Sequence, residues 1–220
     1  MTIAHHVSGD LLLAYGAGAL DEATSILVAT HLALCPPCRA GLALAEAIGG
    51  AMMESATTGT APAEILLDAA IAGAGRDGER HGPAANSSAQ PGPFVLPQPL
   101  RYYAGGDAAE LPWRTLGGGI RQMALKTRGT GATARLLSIG AGKRVPEHGH
   151  RGAELTLVLA GALYDRDTWY RRGDVDAADS SVVHRPAAEP ERDCICLAVT
   201  DAPLKFPALI PRLLQPFYGI

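Results

Sequence analysis

The sequence lacks a long apolar run: no stretch reaches the roughly 18 consecutive uncharged apolar residues that a membrane span needs. Its beginning lacks a basic region ahead of an apolar segment, so it does not resemble a signal peptide. We therefore expect a cytoplasmic protein with no membrane contact. In that compartment thiols stay reduced, and the four cysteines are expected to bind metal or to pack as apolar side chains rather than form disulfides.

Basic residues are scarce in the first third of the chain. Residues 1–75 contain seven acidic residues, and Arg39 is their only Lys or Arg, so this part carries a net charge of −6. The remainder carries +3. An acidic segment repels nucleic acid and suits a basic protein partner. The chain also has no helix rich in Arg or Lys, so we expect no direct nucleic-acid binding.

The composition divides the chain into a helical first part, a linker and a last part without helical patterns. Residues 8–54 favour helices, which we predict at 10–19, 21–34 and 38–53, with a shorter one at about 62–72. Pro36 and Pro37 should end the second helix. The stretch 75–99 is rich in Gly, Pro, Ala and Ser and reads as a linker. The first domain is therefore predicted at 1–74.

The last part, 100–220, has the pattern of an all-β domain. Short apolar runs at 119–127, 132–139, 154–163 and 194–200 are separated by Gly, Pro or Asp clusters, without a helical pattern between them. Such spacing is typical of a sandwich or barrel. The predicted fold class is thus a multidomain α plus all-β protein.

A metal-ligand pattern lies where the second helix ends. His31, Cys35 and Cys38 form the motif H-x3-C-x2-C. His31 and Cys35 share a helix face, and the Pro-Pro segment lets Cys38 approach them. Zinc prefers four such ligands, so either His5 or His6 is expected to complete the site. The alternative is a buried pair of small cysteines beside a core histidine, without metal.

This module resembles the zinc-binding anti-sigma factors. Its arrangement, a helical zinc module followed by a linker and an all-β domain, is similar to that of the ChrR-like members, and the resemblance reaches the tail around 214–217. It implies a four-helix module in which His6, rather than His5, is the fourth zinc ligand. It also implies a 1:1 complex in which the module masks the polymerase-binding surface of an extracytoplasmic-function (ECF) sigma factor.

The β domain carries the first cupin motif, Gly142-x5-His148-x-His150-x3-Glu154-x6-Gly161. Alternate residues of a strand face one side, so the two histidines and Glu154 should point inward together. The second motif keeps Gly173 and His184 but has Asp179-Ser180-Ser181 in place of the usual Pro-x-Gly turn. We predict that His148, His150, Glu154 and His184 bind Zn²⁺ or another divalent metal in a cupin double-stranded β-helix barrel. The alternative is a relic barrel that has lost its metal.

Cys194 and Cys196 are two residues apart in a predicted strand and so face the same side. Their expected Cα separation of about 6.6–6.8 Å is at the limit for a disulfide. They are interpreted first as small core residues. The other hypothesis makes them a redox pair that senses oxidant near the cupin metal.

Together these patterns predict a cytoplasmic anti-sigma factor that is not an enzyme. Its zinc module would inhibit an ECF sigma factor, and its cupin domain would control release of sigma under oxidant stress such as singlet oxygen, as the resemblance implies. The main alternative is a metal-dependent cupin dioxygenase or isomerase with a zinc docking module. A deep polar pocket beside an open metal position would favour that enzyme. A DNA-binding repressor is disfavoured by the charge.

Overall fold

The computed structural model of the chain describes residues 2–56, 68–69, 71–72, 94–128 and 131–206. Its helical part contains α1 (Gly9–Gly16), α2 (Glu22–Leu34) and α3 (Pro36–Ser55). Of the predicted fourth helix, residues 68–69 and 71–72 are helical, and the others lie outside the described residues. Residues 75–93 of the predicted linker and the tail at 214–217 also lie outside them.

Side-chain caps start the first two helices. The Ser8 hydroxyl accepts a hydrogen bond from the Leu11 N–H at 3.2 Å, and an Asp21 carboxylate oxygen accepts one from the Thr24 N–H at 3.0 Å. Each cap satisfies a backbone donor that the first helical turn leaves without a partner. Both helices therefore begin within a residue of the predicted position.

Cys35 alone separates α2 from α3. Its extended backbone (φ −109°, ψ 98°) ends α2 as predicted, while α3 starts at Pro36, earlier than the predicted residue 38, because proline is tolerated in a first helical turn. Arg39 donates to the carbonyls of Leu32 and Ala33 at the end of α2. Among the described residues no single helix is long and apolar enough to span a membrane; α2 and α3 reach that length and composition only as a pair bent by 116°.

The remainder of the described chain forms antiparallel sheets. A short helix α4 (Leu100–Ala104) and a 3₁₀ turn (Ala108–Glu110) precede the strands. The strands are β1 (Arg114–Gly117), β2 (Ile120–Ala124), β3 (Thr133–Ile139), β4 (His148–Gly149), β5 (Glu154–Ala160), β6 (Ala162–Asp165), β7 (Thr168–Arg171), β8 (Val175–Ala178), β9 (Val183–His184), β10 (Ala187–Ala188) and β11 (Cys194–Thr200).

Strand pairing confirms the barrel prediction. One sheet has the order β1-β2-β3-β11-β5-β8, a second has β10-β6-β7, and β4 pairs with β9. The β4–β9 pair sets His148 directly opposite His184, which joins the two cupin motifs. Each predicted β run contains a strand, and the run at 154–163 divides into β5 and β6 at Gly161 (φ +67°).

Helix α2 packs on the face of the larger sheet, against β3, β5 and β11. Eight of its 13 residues are buried, and Leu27 and Val28 are fully inaccessible. They share one apolar cluster with Leu136, Leu157 and Leu197 of the barrel. The helix and the sheet therefore bury each other's apolar surface.

The end of the predicted linker belongs to this core. Residues 94–99 lie within the described structure, and Leu96 is fully buried. Its N–H and that of Val95 donate to the Asp107 carboxylate at 2.8 and 3.1 Å, and the Arg172 guanidinium donates to the Val95 carbonyl at 2.8 Å. The boundaries predicted at 74/75 and 99/100 stay a prediction.

Candidate metal centres

The first centre joins the N-terminus to the α2–α3 junction. The Nδ1 atom of His6 lies 3.3 Å from the Cys35 sulfur and 3.4 Å from the Cys38 sulfur. The His31 Nε2 lies 3.2 Å from the Cys38 sulfur. All four ligand atoms are within 4.8 Å of one another. The structure therefore brings together the four residues predicted to bind zinc.

These separations fit a tetrahedral zinc ion. Bonds of about 2.3 Å to sulfur and about 2.0–2.1 Å to nitrogen place neighbouring ligand atoms roughly 3.3–3.8 Å apart. Two thiols and two imidazoles are also a donor set that zinc prefers. The other candidate, His5, points elsewhere: its ring lies 4.7 Å from that of Tyr170 and 3.7 Å from the Asp174 carboxylate.

The barrel fixes the tautomer of His31. Its Nδ1 lies 2.8 Å from the carbonyl oxygen of Gly173, in the turn between β7 and β8. A carbonyl can only accept, so Nδ1 carries the proton and donates it, which leaves the Nε2 lone pair directed at Cys38. Metal-binding histidines are generally oriented in this way by a second hydrogen bond.

Burial favours the neutral forms of two of these side chains, Cys38 and His31. It raises the pKa of the Cys38 thiol to about 11, with the neighbouring Cys35 thiol adding to the shift. Burial also lowers the pKa of His31. Zinc must therefore displace a proton from Cys38, and its binding depends on pH.

We expect the zinc affinity of this centre to rise with pH. Because the pKa of Cys38 lies near 11, each pH unit between 6 and 9 should increase the apparent affinity at least about tenfold, or about 1.4 kcal/mol. Competition with a chromogenic chelator at several pH values measures this slope. An affinity that does not change over that range would contradict thiolate ligation.

The second centre lies inside the barrel, where three imidazoles converge. The Nε2 atom of His184 is 3.0 Å from that of His148 and 3.0 Å from that of His150. Glu154 completes the group, with a carboxylate oxygen 3.6 Å from the His150 Nδ1. All four side chains are buried.

Hydrogen bonds orient two of these histidines so that their Nε2 atoms face each other. The His148 Nδ1 lies 2.8 Å from the Pro146 carbonyl and the His184 Nδ1 lies 2.7 Å from the Asp165 carboxylate, so both Nδ1 atoms are donors. When both rings are neutral, their Nε2 atoms are lone pairs 3.0 Å apart, which repel unless a metal or a proton lies between them. Burial lowers the pKa of His148 and of His150 to about 4, which disfavours the proton. The donor set suits zinc or another divalent metal.

An Asx turn replaces the glycine turn that the second cupin motif lacks. One carboxylate oxygen of Asp179 accepts from the Ser181 N–H at 2.8 Å and from the Ser181 hydroxyl at 2.5 Å. The Val182 N–H donates to the Asp179 carbonyl at 3.1 Å. Side-chain bonding of this kind stabilises a turn without Pro or Gly, so His184 keeps its place.

A cavity of about 300 Å³ adjoins the second centre, with His148 and Glu154 in its wall. Apolar side chains supply most of the lining, among them Leu137, Ile139 and Phe206. Such a wall differs from the deep polar pocket that the enzyme alternative requires.

Cys194 and Cys196 are free, buried cysteines in the core between the sheets, as the first interpretation predicts. A hydrogen bond with the Cys194 thiol and then burial raise the pKa of Cys196, which disfavours the reactive thiolate. Cys196 nevertheless lines the cavity beside the metal centre. A small oxidant that enters the cavity would therefore come close to Cys196.

Sequence reasoning missed the residues that orient the ligands. Asp165 and the Pro146 carbonyl fix two cupin histidines, and the Gly173 carbonyl fixes His31. Asp165 lies 19 positions from His184. No local pattern marks it, because its place depends on the pairing of β6 with β7.

Comparison with known proteins agrees with both halves of the structure. A family model described as a putative zinc-finger matches residues 9–39, and one described as a ChrR cupin-like domain matches 104–203. The chain thus combines a zinc-finger segment with a cupin-like domain, as predicted from the motifs.

A full-length relative identifies the family. The chain is 49% identical over 220 residues to the anti-sigma-E factor ChrR of Cereibacter sphaeroides, and all of each chain is covered. It is also similar to a chain in the crystal structure of Rhodobacter sphaeroides SigE in complex with the anti-sigma ChrR, with a TM-score of 0.76 and 46% identity over 91% of this chain and 100% of that one. The protein belongs to the ChrR family of anti-sigma factors. Membership confirms the predicted fold class and a regulatory rather than enzymatic role.

Proposed function

We propose that this protein binds an ECF sigma factor in a 1:1 complex and inhibits it through the zinc-bound N-terminal module. The observation that carries the proposal is the assembled cluster of His6, His31, Cys35 and Cys38 in a chain that aligns over its full length with an anti-sigma factor. The zinc ion would hold α2, α3 and the N-terminus in one arrangement. Such a partner works in the cytoplasm, where the four cysteines stay reduced.

The helical module offers a surface that suits a protein partner. Leu13 of α1 is 59% exposed and Leu44 of α3 is 64% exposed. The same part of the chain carries the net charge of −6. A sigma factor has basic surfaces for promoter DNA, so an acidic module with exposed leucines complements it.

The direct experiment is transcription from a sigma-dependent promoter with purified RNA polymerase, the cognate sigma factor and this protein. We expect inhibition to saturate at one chain per sigma. Failure to inhibit at excess, with zinc present at one or more ions per chain, would overturn the proposal.

Leu44→Asp should weaken the complex at least about tenfold, or about 1.4 kcal/mol, because it places a charge on the apolar contact surface. The zinc content should not change. Titration of labelled sigma measures the dissociation constant. Tyr102→Asp is the matched control, since Tyr102 of α4 is also 64% exposed but lies outside the helical module. Equal effects of the two changes would count against this surface.

We further propose that the cupin domain binds a divalent metal, zinc or another, and controls release of sigma in response to oxidant stress such as singlet oxygen. The support is chemical: three buried imidazoles and a carboxylate converge in one centre, and two of these residues, His148 and Glu154, line a cavity that Cys196 also lines. Oxidation of the ligands or of this cysteine would alter the metal centre. Cys194 and Cys196 are the proposed redox pair.

A further inference from the structure

The turn between β7 and β8 holds the chain segment that carries His6. Residues 3–6, here termed the N-terminal strap, lie along this turn. One carboxylate oxygen of Asp174 accepts from the Ala4 N–H at 2.7 Å and from the His5 N–H at 2.9 Å. The Val175 N–H donates to the His5 carbonyl at 3.1 Å. Three hydrogen bonds therefore fix the backbone immediately before the zinc ligand His6.

Packing at Gly173 fixes the strap further. This glycine has φ +94°, and a Cβ atom at its position would lie 2.4 Å from the Ile3 Cδ1. The Ile3 side chain therefore occupies the space that a larger residue would fill. The Gly173 carbonyl meanwhile accepts from His31, so the one turn contacts the surroundings of two zinc ligands.

Asp174 is itself held rigidly. It is 3% exposed, and its second carboxylate oxygen accepts from the Arg171 N–H at 2.8 Å. A buried carboxylate is costly unless its oxygens are hydrogen-bonded, and here backbone donors satisfy both. Asp174 therefore joins the two parts, because Arg171 of the barrel holds one of its oxygens and the strap donates to the other.

Strand β8, which follows this turn, leads to the second metal centre. Asp176, two residues along β8, pairs with Arg166, which also pairs with Asp165 at 2.9 Å. Asp165 in turn accepts from the His184 Nδ1 at 2.7 Å. Residues 173–176 are thus in contact with the surroundings of both metal centres.

We propose that Asp174 is a positioning residue for the N-terminal zinc site, and that through it the cupin centre controls how firmly His6 is held. When His184 loses its metal, the Asp165–Arg166–Asp176 group rearranges and β8 shifts, which loosens the strap. This control of His6 by the cupin centre rests on the proposed role of the cupin domain in release of sigma. Asp174 acts through backbone contacts and is not a ligand.

The experiment uses the full chain with cobalt(II) in place of zinc. Only the first centre has cysteine ligands, so its thiolate-to-cobalt absorption reports on that centre alone. Loss of the band on addition of a chelator gives a release rate. Substitution of groups that orient metal ligands commonly costs about 10–100-fold in affinity. We expect Asp174→Ala to accelerate release at least about tenfold.

Two further variants keep the test decisive. Deletion of residues 2–4 removes the Ile3 packing and the Ala4 hydrogen bond but leaves the barrel unchanged, and it should also accelerate release. Asp107→Ala is the matched control, because Asp107 likewise accepts from two consecutive backbone N–H groups, those of Val95 and Leu96, but contacts neither centre. Rates within about twofold of wild type for both the deletion and Asp174→Ala would overturn the proposal.

A double-mutant cycle tests the link to the barrel. His184→Ala should accelerate cobalt release from the first centre in the wild-type background and have little further effect in the Asp174→Ala background. Additive effects would overturn the link. Because no sigma factor is present, the result is independent of whether the protein inhibits sigma, and the transcription assay separately decides that point.

Discussion

Replacing Cys35 and Cys38 by alanine together should remove one metal ion per chain and abolish sigma binding. Each thiol is buried and lies 3.3–3.4 Å from the His6 Nδ1, so the variant leaves two imidazoles, which hold zinc weakly. A structural zinc site contributes about 10–16 kcal/mol in zinc-finger peptides, so α1, α2 and α3 should lose their common arrangement. Metal analysis and a pull-down of tagged protein with sigma measure the two losses.

The chain provides a matched control for this double substitution. Cys194→Ala with Cys196→Ala also removes two buried thiols, but from β11, outside the metal cluster. This variant should keep the zinc of the first centre and the sigma complex. Full inhibition by metal-free Cys35→Ala/Cys38→Ala protein would separate zinc from anti-sigma function and contradict the proposal.

Replacing His148 and His184 by alanine should remove a different metal ion while basal inhibition of sigma continues. Two of the three converging Nε2 atoms disappear, whereas the cysteine centre keeps all its ligands. We expect the metal content to fall from two ions per chain to one, and the additional release of sigma that oxidant triggers to fall at least about tenfold, because the barrel metal is already absent. Metal analysis and a sigma-release assay under photogenerated singlet oxygen measure this.

Two outcomes would count against this second prediction. Suppose that wild-type protein contains one metal ion per chain and that substitution of Cys35 removes it. The barrel would then bind no metal. If oxidant released sigma from the metal-depleted variant as effectively as from wild type, the barrel centre would have no part in the response. Cys194→Ser/Cys196→Ser in the same assay separates the thiols from the metal: slowed release with metal retained would support the redox pair.

The residues that converge in the two centres could be predicted because each motif sets its own geometry. His31 and Cys35 are one helical turn apart, and His148 and His150 are two residues apart in an extended segment, so spacing alone orients each pair. His184 could be placed by its distance from Gly173 even though the intervening turn lacks its usual residues. The choice of His6 over His5 needed the resemblance.

The outer contacts could not be predicted because they join residues that are far apart in the sequence. The bond from His31 to the Gly173 carbonyl spans 142 positions, and those from the strap to Asp174 span about 170. The β6–β7 turn also has no glycine: Arg166 (φ 45°) and Asp167 (φ 62°) adopt the conformation that Asn-Gly usually supplies. Without that signal, neither the hairpin nor the position of Asp165 was predictable.

The packing of α2 on the barrel was missed for a related reason. Eight of its 13 residues are buried, and they include Thr24, Thr30 and His31, so the helix has no simple apolar stripe that would predict a sheet as its neighbour. The Thr30 hydroxyl is satisfied within the helix, by the Ile26 carbonyl at 2.6 Å. A polar residue with a local bond of this kind can be buried, although its polarity alone would predict that it is exposed.

Arg39 is the only Lys or Arg among residues 1–75, and its guanidinium lies against the carbonyls at the end of α2. The one positive charge of the module thus offsets the negative end of a helix dipole, and the charges left to meet a partner are negative. A field of one sign accelerates the diffusional encounter with a basic protein and does little to slow its departure. Ionic strength would accordingly govern how quickly a free sigma factor is captured, while the lifetime of the complex would depend on its apolar contacts.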